Sequence, residues 1–182
     1  VKDFSKEFGV LPDKTIPALY SALSAGVPRE NVFAFMEVAQ MAAKGGVTEL
    51  ETAVDALSSV VNAYGLENIS TAESSDLLLT AVRLGKTTFE ELAGEIYKVA
   101  PIAAAVGVPF ENLTASIAVL TSQGVPTAQS ATMLKGALAE LAKEGTKADI
   151  AFREFAGEGL AGFLESGGTF EEAIMGMAAQ AE

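Results

Sequence analysis

The side chains of this protein that could do chemistry are carboxylates and little else. Its 182 residues include 24 Asp and Glu but neither His nor Cys. Disulfides, thiolate catalysis and thiolate metal sites are therefore excluded, as are the commonest proton shuttle and metal ligand. Two adjacent pairs stand out, Glu90-Glu91 and Glu171-Glu172, along with the looser set Glu49, Glu51 and Asp55. Two carboxyls can serve as general acid and base when both aim at one point in a pocket that pushes their pKa values apart. Neighbouring residues of a helix point about 100° apart, which works against that geometry. Both pairs also end a Thr-x-x-Glu spacing, Thr88/Glu91 and Thr169/Glu172, in which hydroxyl and carboxylate satisfy free N–H groups at a helix start. The set of three could hold a hard cation, but it has no calcium-loop spacing, and acidic residues in a first turn are what the helix dipole favours.

Other chemistry is weaker still. Gly157, Gly159, Gly162, Gly167 and Gly168 surround Phe163 and Leu164, with no strand before them and no Lys-Ser/Thr after, so they predict a flexible turn and not a phosphate loop. Tyr20, Tyr64 and Tyr97 are isolated and are expected to be half-buried helix residues. No catalytic, cofactor-binding or metal-binding residue is assigned, and no cofactor is implied.

The elements that position these residues are helical. Leu50, Ala53, Val54, Leu57, Val60, Val61 and Tyr64 follow the i, i+3, i+4, i+7 rule of an amphipathic helix. Shorter stripes recur at Leu92/Ile96/Val99, Leu113/Ile117/Leu120 and Leu134/Leu138/Leu141. Val32 to Ala43 is apolar almost all round, which predicts the most buried helix. Starts are marked by Ser/Thr-x-x-Glu at Thr48, Ser70, Thr88 and Thr169. Ends are marked by Gly26, Gly46, Gly65, Gly85, Gly107 and Gly124, where a residue without Cβ can turn left-handed. Pro101 should kink or split its stripe. The expected fold is all-α, about eight to nine short helices in antiparallel hairpins, as a compact bundle or a solenoid-like array. The spans are roughly 15–25, 29–44, 48–64, 71–84, 88–106, 109–123, 127–143 and 148–165, with another helix from 169.

These elements repeat. Gly26-Val27-Pro28-Arg29-Glu30-Asn31 returns as Gly107-Val108-Pro109-Phe110-Glu111-Asn112, 81 residues later, and Thr88-Phe89-Glu90-Glu91 returns in the same register as Thr169-Phe170-Glu171-Glu172. Beyond Gly46-Val47-Thr48 the offset falls to 78, where Gly124-Val125-Pro126 takes over. A unit of about 80 residues is too long for the familiar helix-pair repeats and predicts a block of four helices, present slightly more than twice. The organisation expected is a lead-in at 1–14, repeats at 15–87 and 88–168, and the start of a further helix at 169–182, in a fragment of a longer chain.

Composition narrows the partners. With 12 Lys and Arg against 24 Asp and Glu the formal charge is −12, which opposes phosphate neutralisation and predicts no nucleic-acid binding. The apolar share of 49% does not predict a membrane span. Pro101, Gly107 and Pro109 break one uncharged stretch, and Thr, Ser and Gln interrupt the other, between Asn112 and Leu134.

Leu84-Gly85-Lys86-Thr87-Thr88-Phe89-Glu90-Glu91-Leu92, followed by Val99-Ala100-Pro101-Ile102-Ala103-Ala104-Ala105-Val106-Gly107-Val108, closely resembles the core region of phage tail tape-measure proteins. Ala42-Ala43-Lys44-Gly45-Gly46, Val61-Asn62-Ala63-Tyr64-Gly65-Leu66 and Leu120-Thr121-Ser122-Gln123-Gly124-Val125 fit the same pattern in order, so the resemblance covers roughly Tyr20 to Leu141. It implies a structural, non-enzymatic module of a phage or prophage protein that acts in tail assembly and sets tail length. It also implies that the full protein occupies the tail tube and leaves it at genome ejection. Tail tube and tail assembly chaperone proteins are the implied partners, with self-association of the full protein. The implied locations are the virion and, during assembly, the bacterial cytoplasm. The long heptad array and hydrophobic span such proteins often carry are not in this stretch. The alternative is a helical repeat that binds a protein partner, with no phage role.

Overall fold

In the computed structural model, which describes residues 1–180, every regular element is an α-helix. The helices are α1 (Lys2–Phe8), α2 (Pro12–Ser24), α3 (Val32–Gly46), α4 (Leu50–Tyr64), α5 (Thr71–Leu84), α6 (Phe89–Ala105), α7 (Phe110–Ser122), α8 (Thr127–Ala142), α9 (Lys147–Ala156), α10 (Leu160–Glu165) and α11 (Phe170–Gln180). They form a compact bundle around one continuous core that runs from Phe4 to Ala173. The strongest packing joins alternate helices. α2, α4, α6 and α8 lie against one another in succession, and α3, α5 and α7 form a second row beside them. α9 packs on α8, and α10 and α11 on α9. Because α4 packs on α6, the core is continuous across the link between residues 87 and 88.

Links of a few residues make this arrangement possible. At Gly26, Gly107 and Gly124 the backbone turns left-handed, with φ of 92°, 80° and 93°. The following N–H then reaches back to close the helix. Val27 donates to the Ala22 carbonyl at 3.1 Å, Val108 to Ala103 at 2.9 Å and Val125 to Leu120 at 3.1 Å. These are the six-to-one bonds of a Schellman turn, and they let Pro28, Pro109 and Pro126 set off the next segment.

Two of the expected glycine stops work differently. Gly46 is still helical, and it is Val47 that turns left-handed, at φ 52°. Gly85 stays at φ −93°. Both positions are glycine because of close approach: a Cβ on Gly46 would lie 2.6 Å from the Phe89 Cβ, and one on Gly85 would collide with the Thr121 hydroxyl and lie 3.1 Å from the Ala118 Cα. Space, not backbone conformation, excludes a side chain there.

Other expectations change for identifiable reasons. The stretch 148–165 is two helices, because Gly157 turns left-handed at φ 81°. α1 was not expected within the lead-in; its one core residue, Phe4, leaves too little periodicity to detect. Pro101 does not split α6. It is exposed, as is Tyr97, whose carbonyl loses a donor to the ring and can take water instead. The most buried helix is α4, not α3. α4 packs against four helices, α2, α3, α5 and α6, whereas α3 leaves Phe33 and Met41 exposed. Two of the four Thr/Ser-x-x-Glu boxes close fully, at Thr88 and Thr169. Ser70 accepts from the Glu73 N–H, and Thr48 makes no cap, since α4 starts one residue later, at an N-cap Glu49.

Candidate functional site

The carboxylates sit where the helix starts need them. Glu91 accepts from the Thr88 N–H at 3.1 Å and from the Thr87 hydroxyl at 3.2 Å, and the Thr127 hydroxyl reaches it at 3.3 Å. Thr87 and Thr127 meet at 2.7 Å, so this carboxylate ties the start of α6 to the start of α8. Glu172 accepts from the Thr169 N–H at 2.9 Å while its own N–H donates to the Thr169 hydroxyl. The Thr169 backbone N–H first, and the Thr169 hydroxyl second, hold the Glu172 carboxyl below its usual range. Glu90 and Glu171 are exposed. Neither pair converges on a pocket.

Two of the three acids at the start of α4 reach outward to α2. Glu49 pairs with Lys14 at 3.2 Å and Glu51 accepts from the Ser21 hydroxyl at 3.2 Å. Asp55 titrates higher than usual because of partial burial and, second, the Glu51 charge. Among the described residues no group of three or more His, Cys, Asp or Glu side chains converges as a metal site would require.

The tyrosines divide. Tyr64 donates to the Val108 carbonyl at 3.1 Å and sets its ring edge-on to Phe110, centroids 5.4 Å apart. It thereby fastens α4 to the second Gly-Val-Pro turn, and burial pushes its phenol well above the ordinary range. Tyr20 and Tyr97 are exposed, contrary to the half-buried expectation. The glycine-rich stretch is not the flexible turn expected: it holds the helix α10, because Leu160 is buried in the core, and it frames an aromatic cluster, with the Phe163 ring 5.6 Å from Phe152 and 6.2 Å from Phe155.

One acid escaped the sequence reading. Asp149 is buried, accepting from the Gly145 N–H at 2.8 Å and the Arg153 Nε at 2.8 Å, while Arg153 also reaches Glu144 at 3.3 Å. The Gly145 amide first, then Arg153, holds its carboxyl below the usual range. The signal was present: Thr146-x-x-Asp149 is a capping spacing with Asp in place of Glu, and the Asp149 N–H does donate to Thr146 at 3.1 Å. The group locks the turn from α8 to α9.

Two surface grooves flank the first two Gly-Val-Pro turns, of about 370 Å³ beside Val27, Phe35 and Val61 and about 450 Å³ beside Tyr64, Val108 and Glu111. Neither gathers a nucleophile beside a base. No helix among the described residues is long and apolar enough to cross a membrane.

What the geometry displays is a scaffold of caps, turns and core positions, and similarity to known proteins says what kind. A family model described as phage-related minor tail protein matches residues 1–182, the whole chain. The chain belongs to this family. Its role is accordingly structural, in a phage tail. As a phage-related minor tail protein it is 32% identical over 153 residues to a probable tape measure protein of Clostridium phage phiCD119, a match covering 82% of this chain and 16% of that protein. It is 31% identical over 109 residues to the tape measure protein of Pneumococcus phage Dp-1, covering 60% of this chain and 9% of that one. The chain thus spans less than a fifth of the length of the curated relatives it matches. No solved structure matches. The residues that carried the resemblance are the ones the fold uses most closely: Gly85 against α7, Phe89 in the core and Thr88/Glu91 as a complete capping box.

Proposed function

We propose that this chain is a folded module of a tape measure protein, non-enzymatic, and that the full protein acts in tail assembly and tail length determination. The observation that carries the reading is the 32% identity to a probable tape measure protein across 82% of the chain. The full protein occupies the tail tube and leaves it at ejection, with tube and assembly chaperone proteins and further copies of itself as partners, after assembly in the bacterial cytoplasm. Within the module, residues 15–87 and 88–168 are two copies of one unit, with four helices in the first (α2–α5) and five in the second (α6–α10), where Gly157 splits the last, and a further helix starts at 169. The matched Schellman bonds after Gly26 and Gly107 support that division.

Deleting the coding region for residues 1–182 in frame should abolish infectious particles, and peptides from this region should be recovered from purified tails. Plaques at the parental titre from the deletion, or tails lacking those peptides, would contradict the proposal.

The module shares its path with the genome without adhering to it. A formal charge of −12 repels a polyanion and disfavours counterion release. A gel-shift titration at moderate salt should therefore show no retained duplex DNA. Salt-sensitive binding in the micromolar range would overturn this part.

A further inference from the structure

The link between α3 and α4 is built one residue out of step with its counterpart. In the second repeat Gly124 turns left-handed at φ 93°, the Val125 N–H closes α7 on the Leu120 carbonyl, and Pro126 is the N-cap of α8. Gly46-Val47-Thr48 occupies the same positions 78 residues earlier. There the left-handed residue is Val47, the closing donor is the Thr48 N–H, to the Ala43 carbonyl at 2.9 Å, and the N-cap is Glu49. Stop, closing bond and start have each moved on by one residue.

The slip runs against local preference at every position. Val47 is the only non-glycine among the described residues with positive φ, and a β-branched side chain tolerates that conformation least. It is 91% exposed, so no packing offsets the strain. Gly46, which could take the turn freely, stays helical. Thr48 and Glu51 have capping-box spacing but form no box. Glu51 accepts instead from Ser21 of α2.

Phe89 accounts for the slip. A Cβ on Gly46 would lie 2.6 Å from the Phe89 Cβ and 2.7 Å from its Cγ, so this side chain rests directly on the helical backbone. Gly124 has nothing within 4 Å of such an atom, and it turns. Packing of α6 on the end of α3 thus keeps Gly46 helical and displaces the turn onto Val47. Hydrogen bonding permits either register. If Gly46 turned, the Val47 N–H would close α3 on the Ala42 carbonyl, and the freed Thr48 N–H would pass to the Glu51 carboxylate, as the Thr88 N–H does to Glu91.

We propose that this link is a two-position ratchet, with a strained register held by Phe89 and a relaxed one in which Gly46 turns left-handed and Thr48/Glu51 closes a capping box. Withdrawal of Phe89 from Gly46 releases the turn by one residue, and Glu51 leaves Ser21 as it does so. Opening at the start of α6 is thereby passed to the contact between α2 and α4. The inference rests on the α3–α4 link and not on the tail function, so the particle experiments above and the one below fail independently.

Val47→Asn and Thr48→Ala, each alone and each combined with Phe89→Ala, test the ratchet by urea denaturation. Asparagine accepts the left-handed conformation, so Val47→Asn alone should raise the folded-to-unfolded ratio about fivefold. Beside Phe89→Ala it should change the ratio less than about twofold. Thr48→Ala should do the reverse, with less than about a twofold effect alone and about a fivefold loss where the box has formed. Phe89→Val takes the place of Phe89→Ala if that chain does not fold. In the folded Phe89 variant the Val47 backbone carbon shifts should also move from left-handed to extended values. No gain from Val47→Asn alone, equal effects of either substitution in both backgrounds, or unmoved Val47 shifts would overturn the proposal.

Discussion

Replacing Phe89 by alanine should cost about 3–5 kcal/mol, the usual penalty for emptying a fully buried phenylalanine site. Against a total stability of about 5–15 kcal/mol, that is enough to leave the chain partly unfolded at moderate temperature. Phe89 is 0% exposed and opens α6, the helix packed between α4 and α8, and its Cβ faces Gly46 at the end of α3. One side chain therefore joins both rows of the stack. Glu90, the next residue, is exposed, so Glu90→Ala should change stability by no more than about 0.5 kcal/mol. Urea denaturation followed by circular dichroism checks both. A Phe89→Ala midpoint indistinguishable from that of Glu90→Ala would mean that the junction is not where the stack is held together.

Gly85→Ala and Gly94→Ala are expected to move stability in opposite directions. At Gly85, where φ is −93°, alanine is free to adopt the backbone conformation, so any cost is steric. The new Cβ would meet the Thr121 hydroxyl, and the Ala81 carbonyl and Ala118 Cα are backbone atoms that cannot swing aside. Overpacking of this kind costs about 1–3 kcal/mol. Gly94 lies inside α6 with nothing within 4 Å of a built Cβ. Alanine there should add about 0.5–1 kcal/mol through helix propensity alone. Thermal melts of the two variants separate the explanations. If Gly85→Ala melts at or above the parent temperature, α5 does not approach α7 as closely as described.

The legibility of this fold in its sequence follows from where the information lies. Helix existence was readable because the apolar stripes of α4, α6 and α7 are long and their ends carry turn chemistry. Gly26, Gly107 and Gly124 stop helices through local backbone geometry, which one residue type reports. Gly46 and Gly85 look the same in sequence, yet they are glycine because of Phe89 and Thr121, residues 43 and 36 positions away. Close approach between distant segments leaves no local trace. α1 and the split between α9 and α10 were missed because helices of 7 and 6 residues are too short to show a period. At the sites, Thr88/Glu91 was legible as a cap, but the bridge from Glu91 to Thr127 was not, since it depends on α6 and α8 being neighbours. Asp149 was legible in principle, through Thr146-x-x-Asp149, had Asp been admitted alongside Glu at the third position of the helix.

A folded module inside the tail and a stretch of measuring rod make different demands on tail length. A continuous helix rises 1.5 Å per residue, so the segment Gly26–Val106 would span about 120 Å if extended. The folded 182-residue chain is only about 40 Å across. Deleting Gly26–Val106 in frame from the full-length protein and measuring tails by electron microscopy distinguishes the two forms. A folded module gives either no assembled tails or a shortening far smaller than about 120 Å. Tails that assemble normally and come out shorter by the full 120 Å would show that the region is extended in the particle, contradicting it.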